Sequence, residues 1–98
     1  MNEYERLRRL AERHRQSYPP GTRLMLLDMN DPYAPVPPYT KGTVAFIDDM
    51  AQIHMKWDNG RTLPLNSDED AFRTLTDEEL AEEQNNGMDE SSAPVMGM

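Results

Sequence analysis

The chain contains no cysteine and no long hydrophobic run, and each absence excludes a class of protein. Without cysteine, a disulfide framework, a thiolate zinc site and a cysteine nucleophile are all excluded. No apolar stretch approaches the roughly 20 residues that a membrane-spanning helix needs. The charged segment from Asn2 to Gln16 also lacks the apolar region of a signal peptide. We therefore expect a cytoplasmic protein without a membrane partner.

Hydrophobic residues are scarce, at 37% of 98 residues, and the mean hydropathy is −0.86. This length fits one domain, and the low hydrophobic content indicates that part of the chain does not pack. The net charge of −8 is unevenly distributed. Residues 1–23 hold six arginines and three glutamates, whereas residues 66–98 hold ten acids and one arginine. These two ends can attract each other, or the acidic end can repel or imitate nucleic acid at a basic protein surface.

The N-terminal segment has the pattern of an amphipathic helix. Tyr4, Leu7, Leu10, Ala11 and His14 recur at spacings of three and four residues, which places them on one stripe. The stretch Pro19-Pro20-Gly21 ends the helix. Because the stripe is narrow, we expect this helix to pack on the rest of the chain or on a second copy, so a homodimer is considered.

From Arg23 onward the apolar pattern has a period of two, which is typical of strands. We predict strands at Arg23–Asp28, Gly42–Asp48, Gln52–Trp57 and Arg61–Leu65, with a hairpin turn at Asp58-Asn59-Gly60. Strands this short are unstable as a flat open sheet. The fold class that we predict is mainly β with flanking helices: a small SH3-like antiparallel β-barrel. Its expected core is Leu24, Leu26, Val44, Phe46 or Ile47, Trp57, Leu63 and Phe72.

The segments after the strands are rich in acids. We expect a short turn of helix near Asp70 to Leu75, and a short acidic helix from Asp77 to about Gln84. The predicted organisation is an N-terminal amphipathic helix over residues 1–17, a β-barrel core over 18–75, an acidic helix over 76–84 and a disordered tail over 85–98.

A proline-rich stretch lies between the first two predicted strands. Residues 29–40 contain four prolines, so this stretch cannot be a ladder strand and should form a stiff extended loop. Tyr33 and Tyr39 lie within it and form a candidate aromatic binding surface. The alternative is that both tyrosines only close the open end of the barrel.

Candidate chemistry for catalysis is sparse. His14 and His54 each lack a neighbouring nucleophile and an orienting third group, and two separated histidines are a poor start for a zinc site. The Asp48-Asp49 pair and Asp58 should lie roughly 20 Å apart, at opposite ends of an extended strand. We therefore expect a protein that is not an enzyme, with no catalytic residues, no cofactor and no metal.

Charged side chains give two further candidate surfaces. An acidic surface is the first candidate for contact with a partner, although a solvated face explains such acids equally simply. Its members are Asp48, Asp49, Asp68, Glu69, Asp70, Glu78, Glu79, Glu82 and Glu83. The alternative is a basic face of the first helix formed by Arg6, Arg9 and Arg13, which is suited to phosphates.

Several motifs occur together between Tyr18 and Leu75. They are Pro19-Pro20-Gly21-Thr22-Arg23, Asp31-Pro32-Tyr33, Lys41-Gly42-Thr43-Val44, Ile47-Asp48-Asp49 and Ile53-His54-Met55-Lys56-Trp57-Asp58-Asn59-Gly60. In this combination the chain resembles the domain of unknown function 4314 family, found in Firmicutes, their phages and integrative elements. The resemblance implies no catalytic residue. It leaves the arginine-rich helix and the acidic C-terminal segment outside the similar region.

The resemblance implies a phage or mobile-element protein, active in the host cytoplasm if phage-encoded. We expect a non-enzymatic protein that binds another macromolecule. One form of this hypothesis is inhibition of a host defence nuclease, of anti-CRISPR or anti-restriction type, with the acidic surface as a nucleic-acid mimic. The alternative is a nucleic-acid-associated accessory module that uses the arginine face, although the charge makes direct nucleic-acid binding the weaker expectation.

Overall fold

A computed structural model describes residues 2–33 and 35–85 of the chain. The first helix, α1, spans Glu3–Ser17, as the apolar stripe predicts. It begins at Asn2, whose side-chain oxygen accepts a hydrogen bond from the Glu5 amide at 2.8 Å. It ends before Pro19, where the chain turns toward the sheet. α1 packs on the sheet through Ala11 and His14, which are both buried.

Five strands follow α1 and form one antiparallel sheet. They are β1 (Arg23–Asp28), β2 (Lys41–Ile47), β3 (Gln52–Trp57), β4 (Leu65–Asn66) and β5 (Ala71–Thr74). Their order in the sheet is β4-β3-β2-β1-β5. The two end strands, β4 and β5, do not pair with each other in the described part of the chain. The structure is therefore mainly β with two helices, as predicted, and its sheet is not closed by hydrogen bonds between the edge strands among the described residues.

Two local predictions after β3 are wrong. The strand expected at Arg61–Leu65 is reduced to β4, because Pro64 has no amide hydrogen and the Leu63 carbonyl accepts the Trp57 indole N–H at 2.7 Å. The helical turn expected near Asp70 to Leu75 is instead β5, paired with β1. The Asp70 carboxylate accepts the amide of Asn66, so its capping pattern stabilises the turn before β5 and not a helix.

The core lies on the inner face of the sheet and follows the predicted alternation. Its fully buried members from the first three strands include Leu24, Leu26, Val44 and Ile53, and Met55 and Trp57 are nearly as buried. The register of β2 against β3 shifts between Val44 and Phe46. As a result Ile47 is buried and Phe46 is 53% exposed. Leu63 and Phe72 are partly buried against this core.

Residues 77–85 form a second helix, α2, in the predicted acidic segment. The Thr76 hydroxyl accepts the Glu79 amide at 3.1 Å, and Glu79 Oε1 accepts the Thr76 amide at 2.8 Å. This is a reciprocal capping box, which fixes the start of the helix. Most of the predicted disordered tail, residues 86–98, lies outside the described residues. No helix in the described part of the chain has the length and apolar character to cross a bilayer.

Candidate partner-binding surfaces

The tyrosine–proline loop, residues 29–40, presents its two tyrosines to solvent. Tyr33 is 93% exposed and Tyr39 is 72% exposed. Neither ring therefore closes the end of the sheet, and the alternative explanation of these tyrosines is wrong. Both rings are therefore accessible to a partner, and each offers an apolar body with a polar hydroxyl.

The base of this loop is held in place by the sheet and the core. Val36 is 1% exposed, and its amide donates to the sulfur of Met29 at 3.4 Å. The Tyr39 amide donates to the carbonyl of Leu26 at 2.7 Å, and the Leu26 amide donates to Thr40 at 2.9 Å. Tyr39 has a φ of 71°, a left-handed conformation that is uncommon for a bulky residue. These contacts hold the backbone of the loop at Val36, Tyr39 and Thr40 against the sheet.

The acidic turn, Asp68-Glu69-Asp70, lies against the start of this loop. Asp70 Oδ1 accepts the amide of Asn30 at 2.8 Å, and Glu69 Oε1 accepts the side-chain amide of Asn30 at 3.2 Å. A cleft of about 190 Å³ lies between the two segments. It is lined by Met29, Asn30, Asp31, Pro32, Gln52, Leu63, Pro64, Asn66, Glu69 and Asp70. The structure therefore brings part of the predicted acidic surface beside the predicted aromatic loop.

Four of the nine predicted acids are engaged by arginines of the same chain. Their ion pairs are Asp49 with Arg15 at 2.9 Å, Asp68 with Arg6 at 2.8 Å, Glu79 with Arg73 at 2.7 Å, and Glu83 with Arg23. Hydrogen bonds from Arg73, followed by that from the Thr76 amide, lower the pKa of Glu79 to about 2. At these positions, the attraction expected between arginines and acids of the same chain takes the form of intramolecular ion pairs.

Asp48 is held by a histidine at the end of β2. Its Oδ2 lies 2.7 Å from Nε2 of His54, and its Oδ1 accepts the amides of Met50 and Gln52. Burial raises the pKa of Asp48, but the hydrogen bonds from His54 and these amides together bring it below its usual value. Asp48 therefore has a structural role: it stabilises the tight turn between β2 and β3.

Four acids remain without a cationic partner in the described part of the chain. Glu69 and Asp70 accept hydrogen bonds from neutral donors of Asn30 and Asn66. Glu78 and Glu82 on α2 make no hydrogen bond or ion pair with the described residues. Within the predicted acidic surface, the carboxylates without a cationic partner therefore lie in two places: the acidic turn and the outer side of α2.

The predicted basic face of α1 also contains both ion-paired and unpaired residues. Arg6 binds Glu3 and Asp68, both at 2.8 Å, so it joins the two ends of the chain and is not free for a phosphate. Arg9 and Arg13 make no ion pair within residues 2–33 and 35–85. The structure leaves two of the three predicted arginines available.

A larger cleft, of about 430 Å³, lies between α1 and the turn after β2. It carries charges of both signs, and Arg15 and Asp49 pair with each other there. Its lining is Tyr4, Arg8, Ala11, Glu12, Arg15 and Asp49. Because these charges largely balance, this cleft offers no strong attraction for a ligand of one sign.

The two histidines occupy structural positions. His14 is 8% exposed, and its Nε2 lies 2.9 Å from the hydroxyl of Ser67, a contact that the sequence did not indicate. Burial, followed by the charge of Arg13, lowers the pKa of His14. Within residues 2–33 and 35–85 no carboxylate hydrogen-bonds to His14, and neither of the two clefts is lined by it. Among the described residues, no group of three or more His, Asp or Glu is placed to hold a metal ion.

One charged cluster was missed by the sequence analysis. Arg23, at the start of β1, donates to both oxygens of Asp58 at 2.7 and 2.8 Å and also binds Glu83. Hydrogen bonds from Arg23 lower the pKa of Asp58, and those to Asp58 and Glu83 raise the pKa of Arg23. The available signal was the outward position of Arg23, which alternates with buried Leu24.

Comparison with known proteins gives one match. No curated protein and no solved structure matches the chain. The model of a domain of unknown function, DUF4314, matches residues 6–75, more than two thirds of the chain. The match includes most of α1, so the expectation that this helix lies outside the similar region is wrong, whereas α2 does lie outside it. The suspected resemblance is confirmed: the chain belongs to the domain of unknown function 4314 family.

Proposed function

We propose that this chain is a non-enzymatic module that binds another protein through the cleft between the tyrosine–proline loop and the acidic turn. The observation that carries the proposal is the exposure of Tyr33 and Tyr39 on a loop anchored by buried Val36. Tyrosines are enriched in the energetically dominant parts of protein interfaces. Because the loop is already ordered by its contacts with the sheet, little further conformational entropy is lost on binding.

The charges beside the loop define the chemistry of the partner. Glu69 and Asp70 have no cationic partner among the described residues, since their hydrogen bonds come from neutral amides. A cleft of about 190 Å³ accommodates a side chain and not a whole ligand. The partner that fits is a protein segment with an arginine or lysine next to proline or apolar residues. Complementary charge of this kind raises specificity and the rate of association.

The biological form of this proposal is a protein of a phage or mobile element that binds a basic, nucleic-acid-handling nuclease of the host. The net charge of −8 supports a basic partner. Glu78 and Glu82 on α2 supply a second acidic region for such a contact. In this form the protein is an inhibitor of anti-CRISPR or anti-restriction type.

A second candidate function is a nucleic-acid accessory module that uses Arg9 and Arg13 of α1. The observation in its favour is that neither arginine is paired within the described residues. The test is binding of labelled DNA or RNA at increasing salt, with an Arg9→Gln/Arg13→Gln variant. A steep loss of affinity with salt that depends on these two arginines supports this candidate. Binding unaffected by their removal rejects it.

We also propose that the sheet is a small SH3-like barrel whose two edges are not hydrogen-bonded to each other. The order β4-β3-β2-β1-β5, the long loop between β1 and β2, and the irregular register in β2 support a strongly curled sheet. Superposition of a crystal structure on SH3 domains tests this proposal. Five strands that match in order and direction support it, and a flat sheet contradicts it.

The contact surface is tested by capture of host proteins with matched variants. Tyr33→Ser/Glu69→Gln removes one charge that lines the cleft and the exposed ring of the residue that follows Pro32 of its lining, and it leaves Val36 and Asp70 to hold the loop. Tyr4→Ser/Glu5→Gln is the control, because both residues are exposed on α1 and neither lines the cleft. We expect a basic protein to be retained by the wild type and the control and lost by the cleft variant. Equal retention by both variants rejects the cleft as the contact surface.

A further inference from the structure

The outer face of the sheet carries four cations in adjacent positions. Arg23 and Lys56 lie in one row across the strands, each opposite Thr43 of β2. Arg73 and Lys41 lie in the next outward row, each opposite Met25 of β1. Arg23, Lys41 and Lys56 alternate along their strands with buried residues, so they face away from the core. Arg73 pairs with Met25, which also alternates with buried residues, and therefore lies on the same face. We refer to Arg23, Lys41, Lys56 and Arg73 as the cationic face.

An exposed aromatic pair continues this face along β2 and β3. Phe46 and His54 are opposite each other, with their rings parallel within 7° and their centroids 4.3 Å apart. His54 is two residues from Lys56 on the same side of β3. Phe46 is 53% exposed, although it is a large apolar residue on a sheet. Cations beside exposed aromatic rings are the usual elements of surfaces that bind single-stranded nucleic acid.

The two arginines of the cationic face already hold anions in a two-point geometry. Arg73 donates to both oxygens of Glu79 at 2.7 and 2.8 Å. Arg23 donates through Nε and Nη2 to the two oxygens of Glu83. Phosphate binds arginine in the same bidentate manner as carboxylate. Each arginine is therefore a formed oxyanion site that a glutamate of α2 occupies.

The other charges on this face leave room for a polyanion. Arg23 also holds Asp58, through Nη1 and Nη2, so a phosphate there replaces Glu83 and not Asp58. Lys56 makes no ion pair with the described residues. Lys41 forms no salt bridge with them, although its positive charge contributes to lowering the pKa of Asp58. Displacement of α2 thus exposes two arginine sites beside two lysines that form no salt bridge within the described part of the chain.

α2 lies after the end of the family domain, as expected of a segment that is additional to that domain and covers its arginines. The family match ends at residue 75, and the helical residues begin at 77. Glu79 and Glu83 are four residues apart, about one helical turn, so both point to the same side of α2. Glu78 and Glu82 have the same spacing, but they are on a different side, and their carboxylates make no hydrogen bond or ion pair with the described residues.

We propose that the outer face of the sheet binds single-stranded nucleic acid, and that α2 covers its two arginine sites as an internal competitor. Phosphates take the positions of Glu79 and Glu83, while a base stacks on the exposed ring of Phe46. This surface is separate from the tyrosine–proline cleft, so the inference goes beyond the proposed function. Because binding first requires α2 to move, the full chain binds weakly in its closed form.

The test is fluorescence anisotropy of a labelled oligothymidylate with the full-length chain at low salt. Glu79→Gln/Glu83→Gln uncovers the arginines, and glutamine at position 79 still completes the capping box. Glu78→Gln/Glu82→Gln is the matched control, because it changes the net charge by the same amount on the same helix. We expect the first variant to bind about tenfold more tightly than the control, the effect of losing two ion pairs of ordinary surface strength.

Two further measurements identify the surface. Adding Phe46→Ala and Lys56→Gln to the uncovered variant should return its affinity to that of the control, and both residues lie outside the core. Equal tightening by the two glutamate pairs overturns the proposal, because net charge alone then explains it. The absence of binding by the uncovered variant overturns it as well. Equally tight binding of duplex DNA overturns the stacking role of Phe46. None of these substitutions touches the tyrosine–proline cleft, so failure here leaves the proposed function standing.

Discussion

Gly42→Ala in β2 adds only one methyl group, yet it should lower the stability of the fold substantially. Gly42 lies opposite Trp57 in the sheet. A Cβ atom added at Gly42 would lie 2.6 Å from Cε3 of Trp57 and 3.0 Å from Cε of Met55. The first of these distances is shorter than contacts that real Cβ atoms make. Gly42→Ala therefore requires the indole, the strand or both to shift.

The size of the effect follows from how firmly Trp57 is held. The methyl end of Met55 can move aside, but Trp57 is 3% exposed and its indole N–H donates to the Leu63 carbonyl at 2.7 Å. Overpacking of such a site costs about 1–3 kcal/mol. The lower entropy of the unfolded alanine chain offsets about 0.4–1 kcal/mol. We expect a net destabilisation of about 1–2 kcal/mol, which lowers the Tm by roughly 4–16 °C.

Urea unfolding followed by the fluorescence of Trp57, the only tryptophan, measures this change. Gly60→Ala is the control, because Gly60 has a φ of 90° and a Cβ there meets no atom within 4 Å. That variant should lose about 1 kcal/mol through backbone strain alone and leave the emission of Trp57 unchanged. If Gly42→Ala is as stable as the wild type with unaltered emission, the close packing of β2 on Trp57 is refuted.

Three further predictions follow from buried and titrating groups. Val36→Ala should cost about 1–2 kcal/mol in urea unfolding and speed amide hydrogen exchange in the tyrosine–proline loop, because Val36 is the buried anchor of that loop; unchanged exchange would show that other contacts hold it. The lowered pKa of His14 means that the unfolded state takes up a proton more readily, so stability should fall as the pH drops below about 6.5, and His14→Gln should reduce that slope in urea titrations. The contribution of Glu79, whose pKa is about 2, should be complete above pH 4.5 and lost as the pH falls toward 2; NMR signals of residues 77–85 that do not change in this window would contradict it.

The sequence predicts the elements in which local pattern and packing agree. β1 and β3 have their predicted bounds. Apolar and polar residues alternate through β3, and β1 is an apolar run bounded by Arg23 and Asp28. β5 was missed because its residues look like the continuation of a capped turn, and only its pairing with β1 makes it a strand. The exposed position of Phe46 depends on the shift of register in β2, which no pattern in the sequence indicates.

The sequence predicts which residues form the candidate surfaces, but it does not predict how these residues are placed relative to one another. Asp68 and Glu83 are typical surface acids in the sequence, yet they pair with arginines 62 and 60 positions away. Such pairs depend on how the two ends of the chain fold together. The sequence therefore identifies the acids, while the structure identifies Glu69, Asp70, Glu78 and Glu82 as those without a cationic partner among the described residues.

The location of partner binding is measured most directly by amide chemical shifts. The captured partner, or its basic segment as a peptide, is titrated into the isotope-labelled full-length chain. The proposal predicts that the large changes fall in residues 29–40 and 66–70, around Tyr33 and Glu69. Changes centred on the arginines of α1 or on the outer side of α2, with the tyrosine–proline loop unaffected, would contradict it.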